Sequence, residues 1–431
     1  MIILQQTRGN LSSGDQLSLD LPFAQTKSIN ARIGPTPTFT RASSATFVGS
    51  NGLIQSAAIN TPRFDHTSAG VCRGLLIEES RTNLTVRSDD FGASEWNQQG
   101  NTRNLTISAN NTASPSGATD ADLLTVGATT TTYQVVQRLP AVSGTVTSGT
   151  AYTVSCYFKP NQVTRVSIWA GNAVTLPADA IFDLTGSGSV VLATAGTASI
   201  QQVGNGWYRC IITGTAGATS DTTLRIGPAS GSSRTYAGNS VDSFWAWGAQ
   251  LEAGSFATSY IPTTTGSVVR SADVCSITGA NFTSFYNQSE GTLFADVTPQ
   301  SIAQLATVLA VNSGSAQNQH GIYKTNAAFQ AAGLRWGATS VLTGFVTQAA
   351  PSTGTDVAIS RSKLSYAYKL DDFSFAYAGT IVGIDTSGTL PSPTTMQIGN
   401  RDGTLQINGH LAAIRFYKKR LPNAKLQSLT A

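Results

Sequence analysis

The run Arg165-Val-Ser-Ile-Trp169 is where this sequence offers its clearest chemistry. Val166 and Ile168 alternate with Arg165, Ser167 and Trp169, and successive side chains of a strand point to opposite faces. With the two aliphatic residues turned toward a core, the other three share the outer face. An indole beside a guanidinium gives an apolar platform for the C–H face of a pyranose and donors for its hydroxyls. The competing reading is that the edge of an N-terminal arm, or a neighbouring subunit, covers the tryptophan.

Other aromatic residues read differently. Trp245 and Trp247 share a strand face opposite Phe244 and Ala246, so one pair points inward and the other outward or into an interface. Trp96, Trp207 and Trp336 have no such setting and are expected to pack.

Catalytic constellations are missing from the sequence. Glycoside hydrolysis needs two carboxylates about 5–10 Å apart across the bond. Glu78-Glu79 and Asp371-Asp372 are adjacent pairs that would point to opposite faces of a strand, Asp89-Asp90 reads as a loop, and Glu252 is isolated. The three histidines, His66, His320 and His410, have no Gly-x-Ser-x-Gly elbow or cysteine nucleophile pattern beside them. No phosphate-cradling or dinucleotide-binding glycine loop follows a predicted strand. The expectation is a protein without catalysis.

The elements that must position these side chains are short strands. Among 431 residues only 12% are charged, about half the usual share, so the surface relies on hydroxyl and amide groups. That surface suits sugar recognition and equally suits any extracellular β-protein. A net charge of +4 is thinly spread, with Lys418-Lys-Arg420 the one basic run, which argues against a nucleic-acid partner. Cys72, Cys156, Cys210 and Cys275 lack zinc-site spacing. Cys156 and Cys210 stand in phase with apolar strand neighbours, as buried thiols or as a disulfide pair. The start Met1-Ile-Ile-Leu-Gln-Gln-Thr-Arg has no secretory-signal pattern, and no apolar run approaches the roughly 20 residues of a membrane-spanning helix.

Three regions follow. Residues 1–84 are irregular, with a hairpin expected around Gly49-Ser-Asn-Gly52, and hold too few large apolar residues to fold alone. They read as an arm or collar. Residues 85–265 carry repeated alternating stretches: Tyr152, Val154, Cys156 and Phe158; Val166 and Ile168; Tyr208, Cys210 and Ile212; Leu224 and Ile226. Many short strands without a helical period predict an antiparallel β-sandwich. After a probable linker at 262–267, residues 266–431 begin again at Glu290-Gly-Thr-Leu-Phe-Ala-Asp-Val297. Further strands are expected at 364–370, 395–399 and 405–416, with helical turns near 301–309 and 423–429. No repeat of 20–50 residues recurs. The fold class expected is all-β, two antiparallel sandwiches behind an irregular N-terminal arm.

Five short segments carry a family resemblance. Gly74-Leu-Leu-Ile-Glu-Glu-Ser-Arg-Thr-Asn-Leu84, together with Phe244-Trp-Ala-Trp-Gly-Ala-Gln-Leu-Glu252, resembles the carbohydrate-binding modules built into bacteriophage tail and head fibres. Arg41-Ala-Ser-Ser-Ala-Thr-Phe47 is similar to the hairpin that precedes such modules. The order from Glu290-Gly-Thr to Gly409-His-Leu-Ala-Ala-Ile-Arg-Phe-Tyr417 resembles a concanavalin-like, laminin-G-type sandwich. The resemblance implies a jelly roll at 85–265, a concanavalin-like domain at 266–431 and a homotrimer in a virion, docked through its arm to other virion proteins and binding a host cell-surface glycan. Such jelly rolls often hold one calcium ion through carboxylates and carbonyls, and the resemblance places its ligands, by location and not by motif, at Glu78, Glu79 and Asp242. A purely structural collar and a polysaccharide depolymerase with an unconventional acid pair are the alternatives.

Overall fold

The computed structural model describes residues 15–96, 105–139, 146–171, 176–301, 305–314, 318–324, 336–341, 347–349 and 359–431. Among them the chain is nearly all β, and the named strands pair antiparallel in two sandwiches. In the first sandwich a five-stranded sheet runs in the order Val135–Leu139, Thr222–Pro228, Arg165–Ala170, Ala178–Asp183, Ser189–Ala195. A six-stranded sheet faces it, in the order Thr197–Gly204, Trp207–Thr215, Ala151–Pro160, Ser243–Ala253, Thr119–Val126, Leu105–Ala113.

The period-2 pattern explains how they close. Val154, Cys156, Phe158, Cys210 and Ile212 from one sheet meet Val166, Ile168, Phe182, Leu224 and Ile226 from the other in a single core. Cys156 and Cys210 are direct cross-strand neighbours, and both are free, buried thiols. Burial pushes both thiols up, away from the reactive thiolate.

In the second sandwich Glu290–Pro299 lies between Ser362–Lys369 and Gly409–Tyr417 in an eight-stranded sheet, opposite a seven-stranded sheet. Leu293, Ala295, Val297, Tyr366 and Phe416 pack there against Val308, Leu309, Ile322 and Ile398.

Two expectations need correction. The described part of the N-terminal segment is no appended arm. Leu17–Leu21 pairs with Gly409–Tyr417, Cys72–Ile77 pairs with the same strand, Phe64–His66 extends that sheet, and Thr38–Thr40 joins the opposite one. Leu19, Leu21, Leu75 and Ile77 are fully buried in the second core. These few apolar residues could not build a core alone, yet they complete one whose remaining strands come from the far end of the chain. The first sandwich is therefore inserted between two parts of the second. Arg81–Asn83 and Val268–Arg270, where the chain leaves and returns, pair with each other.

The helical turn expected near 301–309 is the other case. Ala306–Asn312 is a strand, buried at every position. Alternation is absent there because both faces are covered, which hides a strand from a periodicity argument. The turn expected near 423–429 is the helix Asn423–Thr430. The presumed linker is docked: the Arg87 N–H donates to Thr264 O at 2.7 Å and the Thr263 N–H to Ser88 Oγ at 2.9 Å.

Candidate functional site

The strand Arg165–Ala170 sits at the centre of the five-stranded sheet. Val166 and Ile168 are fully buried against the core, which turns Arg165, Ser167 and Trp169 to the outer face. Strand register then chooses their companions. Trp169 lies opposite Asp179 on one neighbour and Arg225 on the other, Ser167 opposite Ile181 and Gly227, and Arg165 opposite Asp183.

Trp169 is half-buried. The Arg234 guanidinium lies over its ring, 4.8 Å from the centroid, within reach of a cation–π attraction. Arg234 Nη1 is 2.7 Å from Asp179 Oδ2, and Thr194 Oγ1 donates to that oxygen at 2.6 Å. Arg225 donates to Gly171 O at 3.1 Å. Partial burial and then the charge of Arg234 hold its pKa below the usual arginine value. Arg165 pairs with Asp183 at 2.9 Å and keeps its side chain 37% exposed. Beside this frame a groove of about 350 Å³ runs between Asp179, Ile181 and Thr194 on the sheet and Ser232–Thr235 above it. Its wall is continued by a two-stranded ribbon, Thr130–Thr132 with Thr235–Ala237.

Ser167 is a correction. It is fully buried, and its hydroxyl donates to Gly227 O at 3.2 Å. The chain at Tyr133 crosses the face there so closely that a Cβ on Gly227 would stand 2.0 Å from Tyr133 O. The outward direction was legible in the alternation; the covering segment was not. Arg225 and Asp179, which frame Trp169, had a signal in the sequence, since each adjoins an inward apolar residue on its own strand. Arg234 had none, because a loop brings it there.

The other tryptophans are engaged elsewhere in the fold. Trp247 packs with Tyr157 and Tyr260 on the outer side of the six-stranded sheet, Trp207 joins the same cluster, and Trp96 and Trp336 are fully buried. Trp245 is half-buried and donates to Asn111 Oδ1 at 2.9 Å.

Glu78, Glu79 and Asp242 do not converge on an ion. Glu78 is fully buried at the seam between the sandwiches, where Arg63 and Arg270 lie 2.8 and 3.0 Å from Oε2 and the Ser259 N–H and hydroxyl donate at 2.8 and 2.7 Å. Two guanidinium groups already neutralise this carboxylate. Glu79 pairs with Arg81 at 2.6 Å. Asp242 belongs to another neighbourhood, accepting from the Tyr236 hydroxyl at 2.8 Å. Among the described residues no group of three or more His, Cys, Asp or Glu could hold a metal ion. These residues do not fit calcium.

No family model matches the chain, and no curated protein is similar to it. Among solved structures, the CBM40 domain of the Ruminococcus gnavus IT-sialidase is 14% identical, over 33% of this chain and 84% of that one, with a TM-score of 0.28. A leech intramolecular trans-sialidase is 14% identical over 36% of this chain and 26% of its own, at 0.28. The SAP-like pentraxin of Limulus polyphemus is 9% identical over 33% and 70%, at 0.25. Each likeness is partial and distant.

Proposed function

We propose that this chain is a non-enzymatic virion fibre or spike protein that binds a host cell-surface glycan and so attaches a phage-like particle. One observation carries the binding part: Trp169 lies on the outer face of the five-stranded sheet, framed by Asp179, Arg225 and Arg234 beside a groove of about 350 Å³, with Arg165 further along the same strand face. The indole edge supplies apolar contact, the guanidinium groups supply donors for sugar oxygens, and the Thr194 oxygen, its proton given to Asp179, supplies an acceptor for a sugar hydroxyl. The virion setting and the homotrimer rest on the sequence motifs. Shallow sites repeated on one particle gain attachment strength through effective concentration. Neither nucleic acid nor membrane insertion has a part in this reading.

The structural-collar reading has one observation in its favour, the Arg234 guanidinium already lying over the Trp169 ring. A glycan array and intact candidate host cells, probed with the wild-type oligomer and with Trp169→Ala, separate the two. Glycan-dependent binding lost in the variant supports the adhesin; absence of binding by the intact oligomer favours the collar.

A further inference from the structure

A second concavity lies away from the Trp169 face, where the two sandwiches meet. We propose that this cleft is a separate binding site for a short oligosaccharide bearing a carboxylate. Its volume is about 670 Å³, within the range of pockets that enclose small ligands. It opens over the outer face of the six-stranded sheet, whereas Trp169 belongs to the five-stranded one.

The floor is polar by register. On the edge strand Thr197, Ser199 and Gln201 are exposed and line the cleft, opposite Thr213, Ile211 and Arg209 of the next strand. Hydroxyl and amide groups in rows suit a polyol, which both donates and accepts.

The walls come from both sandwiches and are held in place. The hairpin Ala45–Val48 with Ile54–Ala57 reaches across, its Ile54 N–H donating to Pro115 O at 2.9 Å and the Thr46 hydroxyl to Tyr260 O. Glu78, bonded to Ser259 on one side and Arg63 on the other, locks the seam beneath. A preformed cleft loses little entropy on binding.

The charge selects the ligand. Among the described residues Asp65 is the one carboxylate in the lining, and both its oxygens are engaged: Oδ1 accepts from the Val48 N–H at 2.6 Å, and Oδ2 lies 2.8 Å from His410 Nε2. Arg73, whose side chain is 47% exposed, lies 4.0 Å from Asp65 and keeps its guanidinium open to the cleft. Arg209 is buried, spends Nη2 on Ser155 Oγ at 2.8 Å, lies over the Tyr157 ring 5.3 Å from its centroid, and among the described residues has no hydrogen-bond partner for Nε. Two guanidinium groups belong to a lining whose only acid among the described residues is already satisfied. An anionic acceptor is what this set lacks, and a carboxylate fits a guanidinium in a bidentate manner.

Calorimetric titration of the full-length protein with trigalacturonate, 3′-sialyllactose and neutral maltotriose tests this. Arg73→Gln and Gln201→Ala alter exposed side chains, so unchanged melting temperatures verify that the fold survives. At least one acidic probe is expected to bind at least about tenfold tighter than maltotriose, and to lose about tenfold in Arg73→Gln, the scale of one charge-assisted hydrogen bond. Trp169→Ala is expected to leave this binding intact, which separates it from the outer-face site. Failure of both acids to bind, binding undiminished in Arg73→Gln and Gln201→Ala, or loss in Trp169→Ala alone would overturn the proposal.

Discussion

Arg63 and Glu78 form an ion pair 2.8 Å long with both side chains fully buried. Arg63 also reaches Asp273, which in turn holds Arg41, so the pair anchors a chain of charges through the seam of the two sandwiches. Burial alone would raise the Glu78 pKa. Arg270, Arg63 and the Ser259 bonds outweigh it and hold the carboxyl well below the ordinary carboxylate range.

Removing Arg63 leaves Glu78 and Asp273 buried with less compensation, so Arg63→Met is expected to destabilise the protein by about 3–5 kcal/mol in urea unfolding. Because the folded pKa of Glu78 is depressed, its stabilisation is present above the unfolded value near 4.5 and is lost as pH falls below it. Wild-type stability should decline below that pH, and Glu78→Gln should decline less steeply. Equal slopes would refute the assignment.

His320 is fully buried and stacks on Tyr368, ring centroids 4.1 Å apart. Burial pushes its pKa down to about 3. The unfolded chain binds this proton below about pH 6.5 and the folded one does not, so stability falls as pH drops through that window. The imidazole resonances of His320 should stay constant from about pH 8 to pH 4, against an ordinary midpoint near 6.5. A midpoint near 6 would contradict this environment.

The second sandwich needs the beginning of the chain. A fragment of residues 266–431 lacks the strands Leu17–Leu21, Thr38–Thr40, Phe64–His66 and Cys72–Ile77, and circular dichroism with gel filtration should find it unfolded or aggregated. Gly74→Ala tests one contact of that seam in the full chain. Gly74 has φ +115°, and an added Cβ would stand 2.1 Å from Leu411 O, so a loss of roughly 1–3 kcal/mol is expected.

On the outer face, Ser167→Ala should leave glycan binding unchanged, since the hydroxyl is buried on Gly227, and should cost about 1 kcal/mol of stability. Trp169→Ala and Arg234→Ala should each weaken binding about tenfold or more. Parallel surface-plasmon titrations of the three variants decide the matter, and equal loss from Ser167→Ala would place the site elsewhere.

Periodicity along single strands was enough to read the first sandwich. Val166 and Ile168 inward, Trp169 outward, and Cys156 and Cys210 among core residues all follow from the two-residue repeat of a half-buried strand, and the hairpin about Gly49–Gly52 followed from its turn residues. The strand Ala306–Asn312 escaped because a run buried on both faces has no alternation to read.

Pairing between distant segments is a different kind of fact. Nothing local in Leu17–Leu21 says that its partner is Gly409–Tyr417, or that 15–84 completes a sheet begun some two hundred residues later. The same holds for the covering of Ser167 by the chain at Tyr133, the placing of Arg234 over Trp169, and the capture of Glu78 by Arg63 and Arg270. Sequence fixes which way a side chain leaves its own backbone, because that is a matter of local geometry. Whether it then meets solvent, a cation or another strand depends on long-range closure of the fold, and that the tertiary structure alone decided.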